Sequence, residues 1–223
     1  MLHLRRPGFP SRPSSDEAHR AAVLFVCTGN ICRSAYAEHG LSHRLRGAGL
    51  EDRIAVGSRG THPNQALTVP QPLVRRGLAQ GITGLEDHRP APLDRRAVEG
   101  ADLIITATAD HLDLVLRETP TALKRTFTML EIGTLLPMLD EQTDGSWLQP
   151  GMGVSAMSRV AAQHRSQARN ALNGLDLADP FGKAEDDYLE MASTLEPVLD
   201  VLTDALDRAT RPQTTPQGSN RQH

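Results

Sequence analysis

Hydrophobic positions along the chain follow two alternating patterns. Short unbroken apolar runs are separated by stretches in which apolar residues recur every three or four positions. The first run, Ala22–Cys27, contains no polar position, as expected of a strand buried on both faces. Ala37, Leu41 and Leu45 follow at helical spacing. Arg53–Ser58 reads as a second strand, Leu73–Leu78 as a short helix and Leu103–Thr106 as a third strand. Leu112, Val115 and Leu116 predict another helix, Arg125–Met129 a fourth strand and Leu130–Leu136 a further helix. Residues 140–153, with Pro150 and several glycines, read as a loop. One helix is predicted over 154–173 through Met157, Val160, Ala161, His164, Ala168 and Leu172. A long last helix uses Tyr188, Met191, Leu195, Val198, Leu202 and Leu206, with Pro197 expected to kink it. Strands that alternate with helices predict an α/β fold: a doubly wound, four-stranded parallel sheet with helices on both faces. Ligands of such sheets bind beyond the carboxyl ends of the strands, and the first strand ends at Cys27.

Composition narrows the classes. Of 223 residues, 39% are hydrophobic but only 3% aromatic, so the core must be aliphatic. A net charge of −3 argues against a nucleic-acid partner held by bulk charge. No stretch approaches the ~18 apolar residues of a membrane span. Residues 1–20 are rich in Pro, Ser and Arg, and 210–223 offer nothing to anchor a core. Both read as disordered tails around a folded body at 21–209. The N-terminus has no apolar segment of the secretory kind, so a reducing, cytoplasmic location is expected. The two cysteines, Cys27 and Cys32, supply at most half of a structural zinc site. They remain either reactive thiols or inert core residues.

The segment Val26-Cys27-Thr28-Gly29-Asn30-Ile31-Cys32-Arg33-Ser34 favours reactivity. Gly29 and Asn30 tolerate left-handed backbone angles, which turn successive N–H groups inward as an anion nest. A helix beginning near Arg33 adds unpaired N–H groups and its positive dipole end. Arg33 supplies a planar fork matched to phosphate. Cys27 lies at the bottom, where the field that attracts phosphate also favours a thiolate. Ser34 is placed to donate to that thiolate.

This C-x5-R-S segment resembles the catalytic loop of the low-molecular-weight protein tyrosine phosphatases. Gly29 lies two positions after Cys27 and Val26 precedes it, unlike the H-C-x-x-G-x-x-R loop of the larger phosphatases. The resemblance covers most of residues 22–208. It departs at Ala35, where the family usually has proline. It implies that Cys27 attacks phosphorus. Arg33 and the backbone of Thr28, Gly29, Asn30, Ile31, Cys32 and Arg33 would hold the phosphoryl oxygens. The proton donor implied is an Asp-Pro dipeptide, which occurs once, at Asp179-Pro180, with Phe181 as an aromatic wall of the substrate slot. Ser58 and His88 correspond to residues that brace the loop asparagine, here Asn30. Alignment puts Ile54 at the opposite wall, where the family is usually aromatic. No metal or other cofactor is called for, because Arg33 and the nest already match the phosphate charge.

The expected partner is a phosphotyrosine-containing protein, with inorganic phosphate as product and no role for nucleic acid or membrane. Three alternatives stay open. A protein-arginine phosphatase uses the same scaffold, but that subgroup has threonine where Ile31 stands. An arsenate reductase shares C-x5-R-S but relays electrons through cysteines outside the loop. A phosphate-binding protein without turnover is the third. For Cys32, packing and a redox role are both open.

Overall fold

A computed structural model describes residues 20–212. Four parallel strands, β1 (Ala21–Cys27), β2 (Ile54–Gly60), β3 (Leu103–Thr106) and β4 (Thr126–Thr128), lie in the order β2-β1-β3-β4. Strand β1 is central and buried throughout, which explains why its sequence has no polar position. Its register pairs Cys27 with Gly60 and Val26 with Thr106.

The helices are α1 (Arg33–Gly47), α2 (Gln71–Ala79), α3 (Arg95–Gly100), α4 (Ala109–Glu118), α5 (Met129–Thr143), α6 (Val154–Gln163), α7 (Arg165–Ala171) and α8 (Glu185–Thr210). They divide unequally between the faces. Val23, Phe25 and Cys27 of β1 pack into the larger core with α1, α2 and α5 to α8. Leu24 and Val26 point to a smaller core with Ala97 and Val98 of α3 and Val115 of α4. Alternate residues of one strand therefore serve two cores. Fully buried aromatics are few, Phe25, Tyr36 and Phe127.

The sheet matches the predicted one, with differences in detail. Strand β2 runs to Gly60 rather than Ser58. The helix expected over 154–173 is two, broken at His164, whose φ of −107° and ψ of 3° leave the helical range. Helix α5 continues through Pro137 into the segment read as loop. It starts from a capping box in which Thr128 and Glu131 satisfy each other's backbone donors. Helix α3 and a 3₁₀ turn at Pro120–Arg125 have no counterpart in the periodicity reading. Helix α8 reaches Thr210, so the folded body extends beyond residue 209. At the other end Arg20 donates to the carbonyl of Ile54 at 3.2 Å. Residues 1–19 and 213–223 of the expected tails lie outside the described residues. Among the described residues, no helix is long and apolar enough to cross a membrane.

Candidate active site

Residues 27–34 link the end of β1 to the start of α1. The apolar run that forces β1 into the middle of the sheet thus carries Cys27 to the carboxyl edge, almost fully buried. Asn30 is the left-handed residue of the turn, with φ of 56°. Gly29 was expected to share that role but has no positive φ. Asparagine tolerates this region because its short polar side chain bonds locally.

Those bonds fix the loop. Asn30 Nδ2 donates to Ser34 Oγ at 3.0 Å and to Ser58 Oγ at 2.6 Å, while Asn30 Oδ1 accepts from the Ala91 amide at 2.9 Å. Ser58 in turn donates to Glu38 Oε2 at 2.6 Å. The direction of each bond follows. With Ser34 Oγ already accepting from Asn30, its own hydrogen is available to Cys27 Sγ, 2.9 Å away. The Asn30 amide also points at Sγ, at 3.3 Å. Two donors converge on one sulfur, which suits a thiolate. His88 Nε2 holds the Asn30 carbonyl at 2.9 Å. Ser58 and His88 are thus both placed around Asn30.

Gly60 shows how closely β2 approaches. A Cβ there would lie 2.7 Å from the Thr28 carbonyl oxygen and 3.0 Å from Asn30 Cβ. Only glycine lets the strand end touch the loop. The Thr61 and His62 amides then donate to the carbonyls of Cys27 and Thr28, both at 2.9 Å.

Arg33 lies at the first turn of α1 and is buried. Its Nη2 donates to Asp179 Oδ2 at 2.7 Å and its Nη1 to the Leu177 carbonyl at 3.2 Å. Its Nε is buried with no hydrogen-bond partner. A buried guanidinium donor left over in this way is what an incoming oxyanion would satisfy. Asp179 is half exposed, and its Oδ1 accepts from the Phe181 amide at 3.2 Å. Asp176 is used elsewhere, accepting from the Ala109 amide at 2.7 Å.

Cys27, Thr28, Gly29, Ile31, Cys32, Arg33, Asp179 and Phe181 line one cavity of about 170 Å³. Its remaining lining comes from His62, Asn64 and Leu67, which sequence reasoning missed. Ile54 is not there. It begins β2, pairs with Ala21 and is buried at the far end of the strand. The wall falls on the segment after β2 because a strand of seven residues carries the chain across the sheet before it turns. Of four large hydrophobic side chains exposed among the described residues, Leu67 and Phe181 flank this cavity.

Two further features were not legible. His111 of α4 hydrogen-bonds Thr28 Oγ1 through Nε2 at 2.9 Å. Burial first, and then the positive charge of Arg33, push its pKa below the usual histidine value. Cys32, immediately before α1, is buried, and burial pushes its thiol up to about 12, with the charges of Cys27 and Asp179 adding to the effect. It remains a thiol throughout the neutral range.

Known proteins resemble this chain in sequence and fold. The family model for low molecular weight phosphotyrosine protein phosphatase matches residues 22–134. Low molecular weight protein-tyrosine phosphatase A of Mycobacterium bovis is 30% identical over 196 residues, 86% of this chain and 94% of that protein. A protein-arginine-phosphatase of Geobacillus stearothermophilus is 24% identical, over 82% of this chain and 95% of that one. The crystal structure of a low molecular weight protein tyrosine phosphatase from T. tengcongensis shares the fold. Its TM-score is 0.61 at 22% identity, covering 83% of this chain and 99% of that one. The family match begins with β1 and takes in the whole cysteine loop, the strand that braces it and the His88 segment. By that match and the mycobacterial relationship, this chain belongs to the low molecular weight phosphotyrosine protein phosphatase family.

Proposed function

We propose that this protein hydrolyses phosphotyrosine in proteins through a phosphocysteine intermediate. The observation that carries this reading is a thiol held by two donors at the floor of a cavity flanked by Ile31, Leu67 and Phe181. Such a slot takes a flat apolar ring and delivers its phosphate to the thiol.

The steps follow from the contacts. The phosphate dianion meets the loop amides and the donors of Arg33, and takes over the Nη2 hydrogen that Asp179 holds in the free protein. Cys27 Sγ attacks phosphorus in line, forming the S–P bond as the P–O bond to the phenol breaks. Asp179, released from Arg33 and protonated from solvent, gives that proton to the departing oxygen. Asp179, now a carboxylate, takes a proton from water as that water attacks phosphorus. The S–P bond breaks, phosphate leaves, and the electron pair returns to Cys27. Ser34 stabilises the sulfur as leaving group through the hydroxyl that Asn30 orients. A dependence on reduced Cys27, with both thiols free, suits a reducing compartment such as the cytoplasm.

A protein-arginine phosphatase is the second reading, favoured by the relative of that name and by the polar His62 and Asn64 on the cavity wall. The deciding experiment measures kcat/KM for phosphotyrosine, phosphoarginine and phosphoserine peptides, with Cys27→Ser as control. Phosphotyrosine is expected to lead phosphoarginine by at least ~10-fold, and Ile31→Thr to narrow that ratio. A preference for phosphoarginine overturns the first reading, and burst-free binding without turnover overturns both.

A further inference from the structure

Against the Asn30 carbonyl of the cysteine loop, and outside the residues that line the cavity, two histidines face each other. His39 Nε2 lies 3.2 Å from His88 Nδ1, with the rings edge to face at 77°. The other nitrogen of each ring is committed. His88 Nε2 contacts the Asn30 carbonyl at 2.9 Å and His39 Nδ1 contacts the Thr83 carbonyl at 3.2 Å. A carbonyl only accepts, so both of those nitrogens carry hydrogen. A neutral imidazole carries one hydrogen. Both inner nitrogens therefore present lone pairs to each other. Two neutral rings so placed are held together by a shared proton or by a cation.

A third donor is already there. Glu38 Oε2 is 3.7 Å from His88 Nδ1, and one ligand atom from each of Glu38, His39 and His88 falls within 4.8 Å of the others. We propose that these three residues form a binding site for a divalent transition metal of the zinc type. The donor set, two imidazoles and one carboxylate, is the set such ions take with one position left for water. The spacing fits as well. Ligands ~2.0–2.1 Å from a tetrahedral ion lie ~3.3 Å apart, whereas a shared proton would draw the nitrogens to ~2.7–2.9 Å. Glu38 and His39 are only partly buried, which leaves an entry path, while His88 is buried. A carboxylate has about four lone-pair sites, so Glu38 can ligate and still accept from Ser58.

The partners outside the ion are those of an ordered site. Each ligating ring gives its second N–H to a backbone carbonyl, which sets tautomer and orientation. One of those carbonyls belongs to Asn30, whose side chain orients Ser34. The ion would sharpen the N–H of His88 as a donor and fasten the loop from behind. It would take no part in phosphoryl transfer, which is why the C-x5-R-S chemistry gives no hint of it.

The test uses the full chain carrying Cys27→Ser, which removes a competing sulfur ligand, stripped with chelator and titrated with Co²⁺ alone. The expected result is one equivalent of Co²⁺ with the visible bands of a tetrahedral nitrogen-and-oxygen site. His39→Ala in the same background should weaken uptake by at least about 10–100-fold while keeping the parent far-ultraviolet circular dichroism. Zn²⁺ should raise the thermal midpoint of the parent and leave that of His39→Ala unchanged. Absence of tetrahedral uptake by the parent overturns the proposal and leaves a shared proton between the rings. Uptake that survives His39→Ala, by other histidines among the nine in the chain, overturns it too.

Discussion

The two loops that build the cavity are held in opposite ways. Residues 27–34 are mostly buried and tied by side chains from β2, from the 88–91 segment and from α4. The loop carrying Asp179 exposes Ala178, Asp179, Phe181 and Gly182, and its attachments are few. Arg33 grips Leu177 and Asp179, the Leu177 amide donates to the Ala107 carbonyl, and the Gly182 amide donates to Tyr188 Oη at 3.1 Å. The contrast fits the role proposed for each. Donors for a transition state must not move when charge develops. An acid that protonates one molecule and deprotonates the next must let one leave and the other enter.

If that division holds, substitutions in the first loop damage every substrate equally and those in the second discriminate among leaving groups. Arg33→Lys should have the largest effect, near-complete loss of turnover for all aryl phosphates, because a point charge cannot replace the planar fork. Steady-state kinetics with unchanged kcat and KM would break the comparison outright. Asp179→Asn should lower kcat by roughly 10²–10⁴ for poor leaving groups and much less for phenols that depart without a proton. A flat loss across leaving-group pKa would make Asp179 structural. Ser58→Ala should cost about 1–3 kcal/mol in urea unfolding, since it strands a buried Asn30 hydrogen and takes one donor from Glu38. It should also lower kcat alike for every leaving group. The smallest effect belongs to Phe181→Ala: a ring 54% exposed should change KM by ~2–10-fold and spare kcat. A fall in kcat instead would show that Phe181 positions Asp179.

Much of this arrangement was written in local pattern. The polar-free run of β1, the five-residue spacing from Cys27 to Arg33 and the single Asp-Pro each depend on neighbours in the chain. What could not be read depends on distance in space. The slot wall slid from Ile54 to His62, Asn64 and Leu67 because strand length, not spacing, decides where β2 releases the chain. His111 and His39 looked like any other of the nine histidines, since nothing in sequence records that α4 crosses above Thr28 or that His39 meets His88. The break at His164 hid inside an apolar pattern that two short helices satisfy as well as one. Helix α5 likewise runs past Leu136 to Thr143, as Leu135, Leu136 and Leu139 all pack into the larger core.

The ion pair between Arg33 and Asp179 has a further consequence for the catalytic cycle. In the free protein the carboxylate occupies one of the guanidinium hydrogens that a phosphate would use. Asp179 is therefore an internal rival for every anion that enters, the product included. Each substrate must displace it, which weakens ground-state affinity, and each released phosphate is helped out once Asp179, having passed to solvent the proton it took from water, pairs with Arg33 again. An enzyme whose cradle is shaped so closely for phosphate would otherwise be slow to let it go. By this account the residue proposed as the acid also clears the site at the end of the cycle.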